Sequence, residues 1–341
     1  MTPEKTTAPG RHAAPRRTRG TLRRIAPAVG LFLLAPLVAE FLLGNISISA
    51  FGAFVVLAPL YGGGALLIRE VARHTGRGWP TILLLALAYA LVEEGLVTQT
   101  LFNPSYFGTH LLGQAHVGVL GIGVWWALFV LTLHTVWSVS VPIMLVESLV
   151  PDRRTRPWLG PTGLSVTALL LVLGAVLNGA VTYAQERFLA SPAQLAGTAG
   201  VIAGVVAAAF RVRTGPAASD PRPAPSPWIV GLVALVASSV FLAPPYLRGW
   251  PLVAAYLVLY AVVIAVVLRW SRRTGWGPVH ELALAGGALL TYAWHGFPER
   301  PVLGSTTTLD LVGNTVFATG AVVLLALAAQ TVSRTGQRSD G

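Results

Sequence analysis

Two adjacent carboxylic acids, Glu93 and Glu94, stand inside an otherwise apolar stretch, with Thr98 four residues after the second. An ionisable group at the centre of a bilayer costs about 2.5–3.5 kcal/mol on insertion scales, so a pair of them calls for a reason. In a low-dielectric cavity a carboxyl can take a proton from water or bind a metal ion; otherwise it is a protonated group hydrogen-bonded to a neighbouring helix. Neighbouring residues on an α-helix point about 100° apart, so only one of the two acids is expected to face a pocket squarely. Glu94 shares its face with Thr98 and is the expected inward residue, with Glu93 flanking it. Forty residues later His134 is followed at i+4 by Ser138, which places an imidazole and a hydroxyl on one helix face. Asn178 follows on a later segment. For His134 and Asn178 the competing reading is a hydrogen bond that only fastens two helices together.

Other polar positions carry weaker signals. Glu40, His295, Asp310 and Asn314 belong to the same half of the membrane as the acid pair, whereas Glu147, His280 and Glu281 lie nearer the other surface, within reach of headgroups or a loop arginine. His110 and His116 are six apart in a glycine-containing loop, a spacing that matches no helical metal motif, so solvated loop residues is the expectation. Gly62-Gly63-Gly64 lacks the lysine of a phosphate loop and sits in an apolar segment, which predicts a hinge or a close helix contact.

These residues must be positioned by membrane-spanning helices. The 341 residues include 24 basic and 13 acidic side chains, only 11% charged against 54% hydrophobic, with mean hydropathy +0.67. An ordinary soluble domain is near 25% charged. Water-soluble, disordered and nucleic-acid-binding classes are excluded despite the net charge of +11. The fold class is an all-α polytopic bundle whose partner is the lipid bilayer. Ten tryptophans and eight tyrosines suit helix ends at two membrane interfaces. With no cysteine there is no disulfide, thiolate metal site or cysteine nucleophile. Lys5 is the only lysine among many arginines, a composition of GC-rich coding DNA that hints at a bacterial source; the expected location of such a multi-pass chain is the plasma membrane.

Roughly 20 residues are needed to cross a hydrocarbon core of about 30 Å. Ten segments qualify, near 26–44, 48–68, 80–102, 120–149, 160–183, 195–212, 227–245, 251–269, 279–297 and 307–331. The fourth is too long for one straight crossing, which predicts tilt, an extension beyond the bilayer or a bend at Pro142. Residues 1–24 read as a disordered basic tail and residues 213–227, rich in proline, as a linker dividing a six-span region, 25–212, from a four-span region, 228–333; a short tail, 334–341, follows. With both termini cytoplasmic, 21 of the 24 basic residues fall inside and only Arg187, Arg248 and Arg300 outside. Reporter fusions are expected to give an extracytoplasmic signal at residue 110 and a cytoplasmic one at 155; the reverse at either position overturns this orientation.

The order Glu-Glu, then His, then Asn on successive segments resembles the CAAX-protease and bacteriocin-processing family of intramembrane peptidases. That family shows Glu-Glu-x-x-x-Arg, Phe-x-x-x-His and His-x-x-x-Asn. Here the motifs read Glu93-Glu94-Gly-Leu-Val-Thr98, Val130-Leu-Thr-Leu-His134 and Gly174-Ala-Val-Leu-Asn178, within residues 80–180. The resemblance implies that Glu94 or Glu93 activates water, that His134 is a second polar group on that water, and that Asn178 donates to the developing oxyanion. Thr98, Val130 and Gly174 depart from the pattern and leave one imidazole where the family has two. Either another residue such as His295 rebuilds the apparatus or the chain is a non-catalytic relative.

Three functions stay open at this level: hydrolysis of a membrane-embedded peptide, proton-linked transport or binding of a small solute through an outward-facing pocket, and a structural or accessory role. The residues identify no cofactor, and whether a metal participates is undetermined.

Overall fold

The computed structural model describes residues 17–212, 220–305 and 307–339. Among the described residues, eight helices are long and apolar enough to cross a membrane: α1 (Arg24–Leu42), α2 (Ile48–His74), α3 (Trp79–Val97), α4 (Val124–Leu149), α5 (Pro161–Glu186), α6 (Pro192–Arg211), α8 (Gly249–Trp270) and α10 (Thr308–Thr335). The two remaining apolar segments are also helices, α7 (Pro227–Leu242) and α9 (Pro278–His295). At 1.5 Å per residue the 16 residues of α7 span about 24 Å, short of a full hydrocarbon core. The chain is an all-α polytopic bundle. Among the described residues, strands are limited to the hairpin of β1 (His116–Val117) with β2 (Ile122–Gly123), and the pairing of β3 (Asp220–Pro223) with β4 (Arg273–Thr274).

Several boundaries differ from the sequence expectation. Helical backbone begins at Arg17, inside the expected tail, whose residues 1–16 lie outside the described residues. The last helix continues to Ser339. Of the expected linker, 213–219 lie outside the described residues. The third span ends at Val97, and the fourth starts at Val124, after the hairpin. The second helix runs on to His74, so Arg69 and Arg73 lie in its last turns rather than in a loop.

Those two arginines organise the end of the bundle opposite the Glu93–Glu94 pair. Arg69 Nε donates to Glu147 Oε1 at 3.0 Å, and Arg73 spans the same carboxylate with bonds of 2.9 and 2.7 Å. Arg69 also pairs with Glu70, donates to the carbonyls of Arg154 and Arg156, and lies 3.4 Å from the Trp158 ring centroid. Glu70 in turn accepts from the backbone N–H groups of Trp158 and Leu159. A long basic side chain buried in this way satisfies the α4–α5 connection and locks it under α2. Glu281 accepts from the loop residue Arg154, as its position in the sequence suggested.

Small residues let the helices approach. The three consecutive glycines of α2 each face a different helix. An added Cβ would lie 2.1 Å from Phe32 O of α1 at Gly62, 3.1 Å from Leu171 N of α5 at Gly63, and 2.4 Å from the Tyr89 ring of α3 at Gly64. This is the close-contact role expected of the triplet. Gly174 of α5 answers from the other side, its Cβ position 2.4 Å from Leu60 N. Gly174→Val is therefore expected to push α5 from α2 and cost about 1–3 kcal/mol, lowering the thermal unfolding midpoint in detergent. Gly204→Ala, which meets nothing within 4 Å, should leave it unchanged. Equal midpoints for the two variants would refute the close contact.

The core has two main parts that meet along α1 and α4. Leu31, Leu60, Ile82, Val139 and Trp158 fill one between α1, α2, α3 and α4. In the other, Val38 of α1 and Trp137 of α4 pack with Phe241, Leu289 and Tyr292. Trp137 stacks on Tyr292 with ring centroids 4.7 Å apart and donates to Ala288 O at 2.8 Å. Helix α4 thus carries His134 between both halves of the core, with no freedom to rotate away.

Candidate functional site

Three π-helical segments occur among the described residues: Leu37–Leu42 in α1, Glu93–Val97 in α3 and His134–Ser140 in α4. Each carries an ionisable residue of the buried polar cluster. Glu40 lies in the first, Glu93 and Glu94 in the second, and His134 with Ser138 in the third. A π turn inserts an extra residue into the helix, widening it and changing which side chains share a face; such turns are frequent at functional sites. The widened turn is closed by the bond from Thr98 N to Glu93 O at 2.8 Å.

The consequence is that both acids reach the same imidazole. His134 Nε2 lies 2.7 Å from Glu94 Oε1, and Nδ1 lies 3.1 Å from Glu93 Oε2. The expectation that only one acid could face the site assumed α-helical spacing and is corrected by the π turn. Nδ1 is also 3.1 Å from Ser138 Oγ, and this contact has hydrogen-bond geometry, whereas Glu93 Oε2 is left buried without a hydrogen-bond partner. Glu93, Glu94 and His134 are 1%, 4% and 7% exposed, so the charges interact across protein rather than water.

Glu94 is held from its far side. Its Oε2 accepts from Thr98 Oγ1 at 3.3 Å and from Thr100 Oγ1, and Thr100 is fixed by Trp126 Nε1 at 3.1 Å. The Glu94–Thr98 contact is the one that the i+4 spacing anticipated. Glu40 enters from α1, accepting from Tyr61 Oη at 2.5 Å and from Asn45 Nδ2 at 2.6 Å. The Tyr61 ring also packs 5.9 Å from that of His134. The Tyr89 hydroxyl is buried without a hydrogen-bond partner, within electrostatic reach of Glu93.

The outer loop after α3 closes over this end. Gln99 adopts a left-handed φ of 58° and its Oε1 accepts from Ala190 N at 2.7 Å, while Glu186 accepts from Asn103 Nδ2 at 3.1 Å. Tyr106, in this loop, has its phenol pushed above the ordinary range, first by burial and then by the negative charge of Glu94 and Glu40.

Of the four residues singled out by sequence, the structure brings Glu93, Glu94 and His134 together and does not bring Asn178. Its amide donates to Val56 O at 3.0 Å and Gly174 O at 2.8 Å, fastening α5 to α2. His295 is 3.1 Å from Glu299, outside the cluster, and His110 and His116 are exposed. Glu40, Tyr61, Tyr89 and Thr100 are the members that the sequence pattern did not single out as site residues. Glu40 alone carried a usable signal, an acid in an apolar segment at matching depth.

Donor atoms of Glu93, Glu94 and His134 lie within 4.8 Å of one another, a set able to hold a metal ion. A family model described as an uncharacterized membrane protein family matches residues 30–335. No curated protein and no solved structure matches the chain.

Proposed function

The chain belongs to an uncharacterized membrane protein family, and from that premise we propose that it is a membrane-embedded hydrolase of a bacterial plasma membrane. Its base is Glu94. The observation that carries this reading is the buried Glu94–His134 contact of 2.7 Å, held on both sides by hydroxyl groups. A general base must sit within hydrogen-bond reach of the proton it takes, in a defined orientation. Thr98 and Thr100 aim Glu94, and Ser138 aims His134.

In the proposed step Glu94 accepts a proton from water as the water oxygen attacks a carbonyl carbon. The proton then passes to the departing amine as the carbon–nitrogen bond breaks, so one water is consumed and acid plus amine are released. His134, between two carboxylates, supplies a second hydrogen bond. The buried Tyr89 hydroxyl, beside Glu93, is a donor available to a developing oxyanion. This replaces the role that the family resemblance assigns to Asn178, whose amide is occupied elsewhere.

Peptides within or beside the membrane are the proposed substrate class, from the resemblance of the first two motifs to the CAAX-protease and bacteriocin-processing peptidases. The third motif departs for a steric reason: a histidine at position 174 would place its Cβ 2.4 Å from Leu60 N. The test compares new peptide termini in membranes containing the wild-type chain with those containing Glu94→Gln. Termini present only with wild type support hydrolysis; identical sets remove it. A second reading, proton-linked solute binding, is favoured by the closure of the cluster from solvent. Solute accumulation that depends on a proton gradient, without new termini, would select it.

A further inference from the structure

The geometry points to a divalent metal site formed by Glu93, Glu94 and His134, taking a first-row transition ion such as Zn²⁺. It rests on the same cluster as the proposed hydrolysis, and there a bound ion, rather than the free Glu94 carboxylate, would activate the water. Three observations carry it independently of any reaction. The first is spacing. Carboxylate and imidazole ligands sit about 2.0–2.2 Å from a tetrahedral zinc ion, so its ligand atoms are about 3.4 Å apart. The donor atoms here already lie within 4.8 Å of one another.

The second is the shell around those donors. A metal-binding histidine donates its other ring N–H to a fixed acceptor, which sets the tautomer, and ligating carboxylates are themselves hydrogen-bonded. His134 Nδ1 is bonded to Ser138 Oγ, leaving Nε2 on the Glu94 side for an ion. Glu94 Oε2 is taken up by Thr98 and Thr100, leaving Oε1 directed at the cluster. Glu93 Oε2 is buried and makes no well-formed hydrogen bond, its ion-pair contact being His134 Nδ1 at 3.1 Å. A carboxylate oxygen so placed lacks what a buried acceptor ordinarily has, and a cation supplies it.

The third is charge. Glu40, Glu93 and Glu94 converge from two helices, and the one basic side chain paired with Glu93 and Glu94 among the described residues is His134. Arg69 and Arg73 are committed to Glu70 and Glu147. Two carboxylates with neutral imidazole and one divalent cation sum to zero, the state that a low-dielectric interior favours. Glu40, whose two oxygens already accept from Tyr61 and Asn45, stays outside the ligand set as a neighbouring acid. The donor set of nitrogen and oxygen, without thiolate, suits zinc, manganese, iron or cobalt better than calcium, which takes oxygen ligands only.

The full chain, purified in detergent through a tag without histidine, would be equilibrated with Zn²⁺ and, separately, with Co²⁺ as a spectroscopic probe. We expect one ion per chain, visible cobalt bands and an unfolding midpoint that rises with ion concentration. Glu93→Gln and His134→Ala should lose the bands and the midpoint shift. Ser138→Ala should weaken binding about 10–100-fold, as loss of an outer hydrogen bond does. A double His110→Ala, His116→Ala variant should bind as wild type. Ion binding unchanged in Glu93→Gln and His134→Ala, or no binding by wild type, overturns the site. The unfolding transition of each variant without added ion shows that it is folded, so lost binding is read as a lost ligand. Peptide cleavage that survives chelation would end the metal proposal and leave the hydrolase. Stoichiometric binding with no cleavage in any membrane would do the opposite.

Discussion

Glu94→Gln is expected to cut the rate of peptide-bond cleavage by about 10²–10⁴-fold, the range that a positioned general base contributes, while leaving the protein at wild-type levels in the membrane. Glutamine keeps the length of the side chain and an oxygen that can accept from Thr98 and Thr100. What disappears is the negative charge 2.7 Å from His134 Nε2 and the site for the proton. Folding should therefore be spared and chemistry lost. Glu93→Gln separates two ways of activating water: a water deprotonated by Glu94 alone tolerates it, whereas an ion-bound water does not. His134→Ala should fall between wild type and Glu94→Gln, because the second carboxylate remains. The measurement is the initial rate on a peptide identified from the wild-type terminus set, normalised to protein in the membrane. Full activity in Glu94→Gln would remove Glu94 as the base; failure of the variant to accumulate would make the carboxylate structural.

The second large effect lies at the other end of the bundle and concerns stability. Glu147→Ala is expected to destabilise the fold by about 3–5 kcal/mol, the cost of removing one partner from a buried ion pair. Glu147 is 1% exposed and accepts from two arginines, one of them, Arg69, fully buried. Arg69 retains Glu70 and the loop carbonyls, so the uncompensated charge falls mainly on Arg73, whose other bond is to Arg77 O. The double variant Arg73→Ala, Glu147→Ala should consequently lose less than the sum of the single variants. Reversible unfolding in detergent measures it. A loss within about 1 kcal/mol of zero for Glu147→Ala would mean that the pair behaves like a solvated surface bridge.

These two clusters illustrate what could be read from residue order. Ten apolar segments, the all-α class and the membrane setting are legible because crossing a bilayer demands long runs of apolar residues with every backbone group paired inside its own helix. The cost of burying charge also made Glu93, Glu94 and His134 conspicuous, and they do meet. The i+4 relation correctly linked Glu94 with Thr98 and His134 with Ser138, since such neighbours are local to one helix.

Tertiary structure decided the rest. No local pattern announces a π turn, because one extra residue in a helix is stabilised by what packs against it, and it is this turn that lets Glu93 and Glu94 share one imidazole. Glu40 and Tyr61 join from α1 and α2, more than thirty residues upstream of the acid pair, where only helix packing sets the approach. Asn178 shows the reverse: its type and order suited the site, yet Gly174 brings α5 so close to α2 that the amide meets Val56 O instead. Likewise Arg69 and Arg73 read as loop charges in the sequence, whereas α2 extends to His74 and buries them against Glu147. Composition and periodicity report the solvent that each residue prefers, a one-body property that sequence carries directly. Which polar groups satisfy one another is a property of pairs, and only the packed helices fix those pairs.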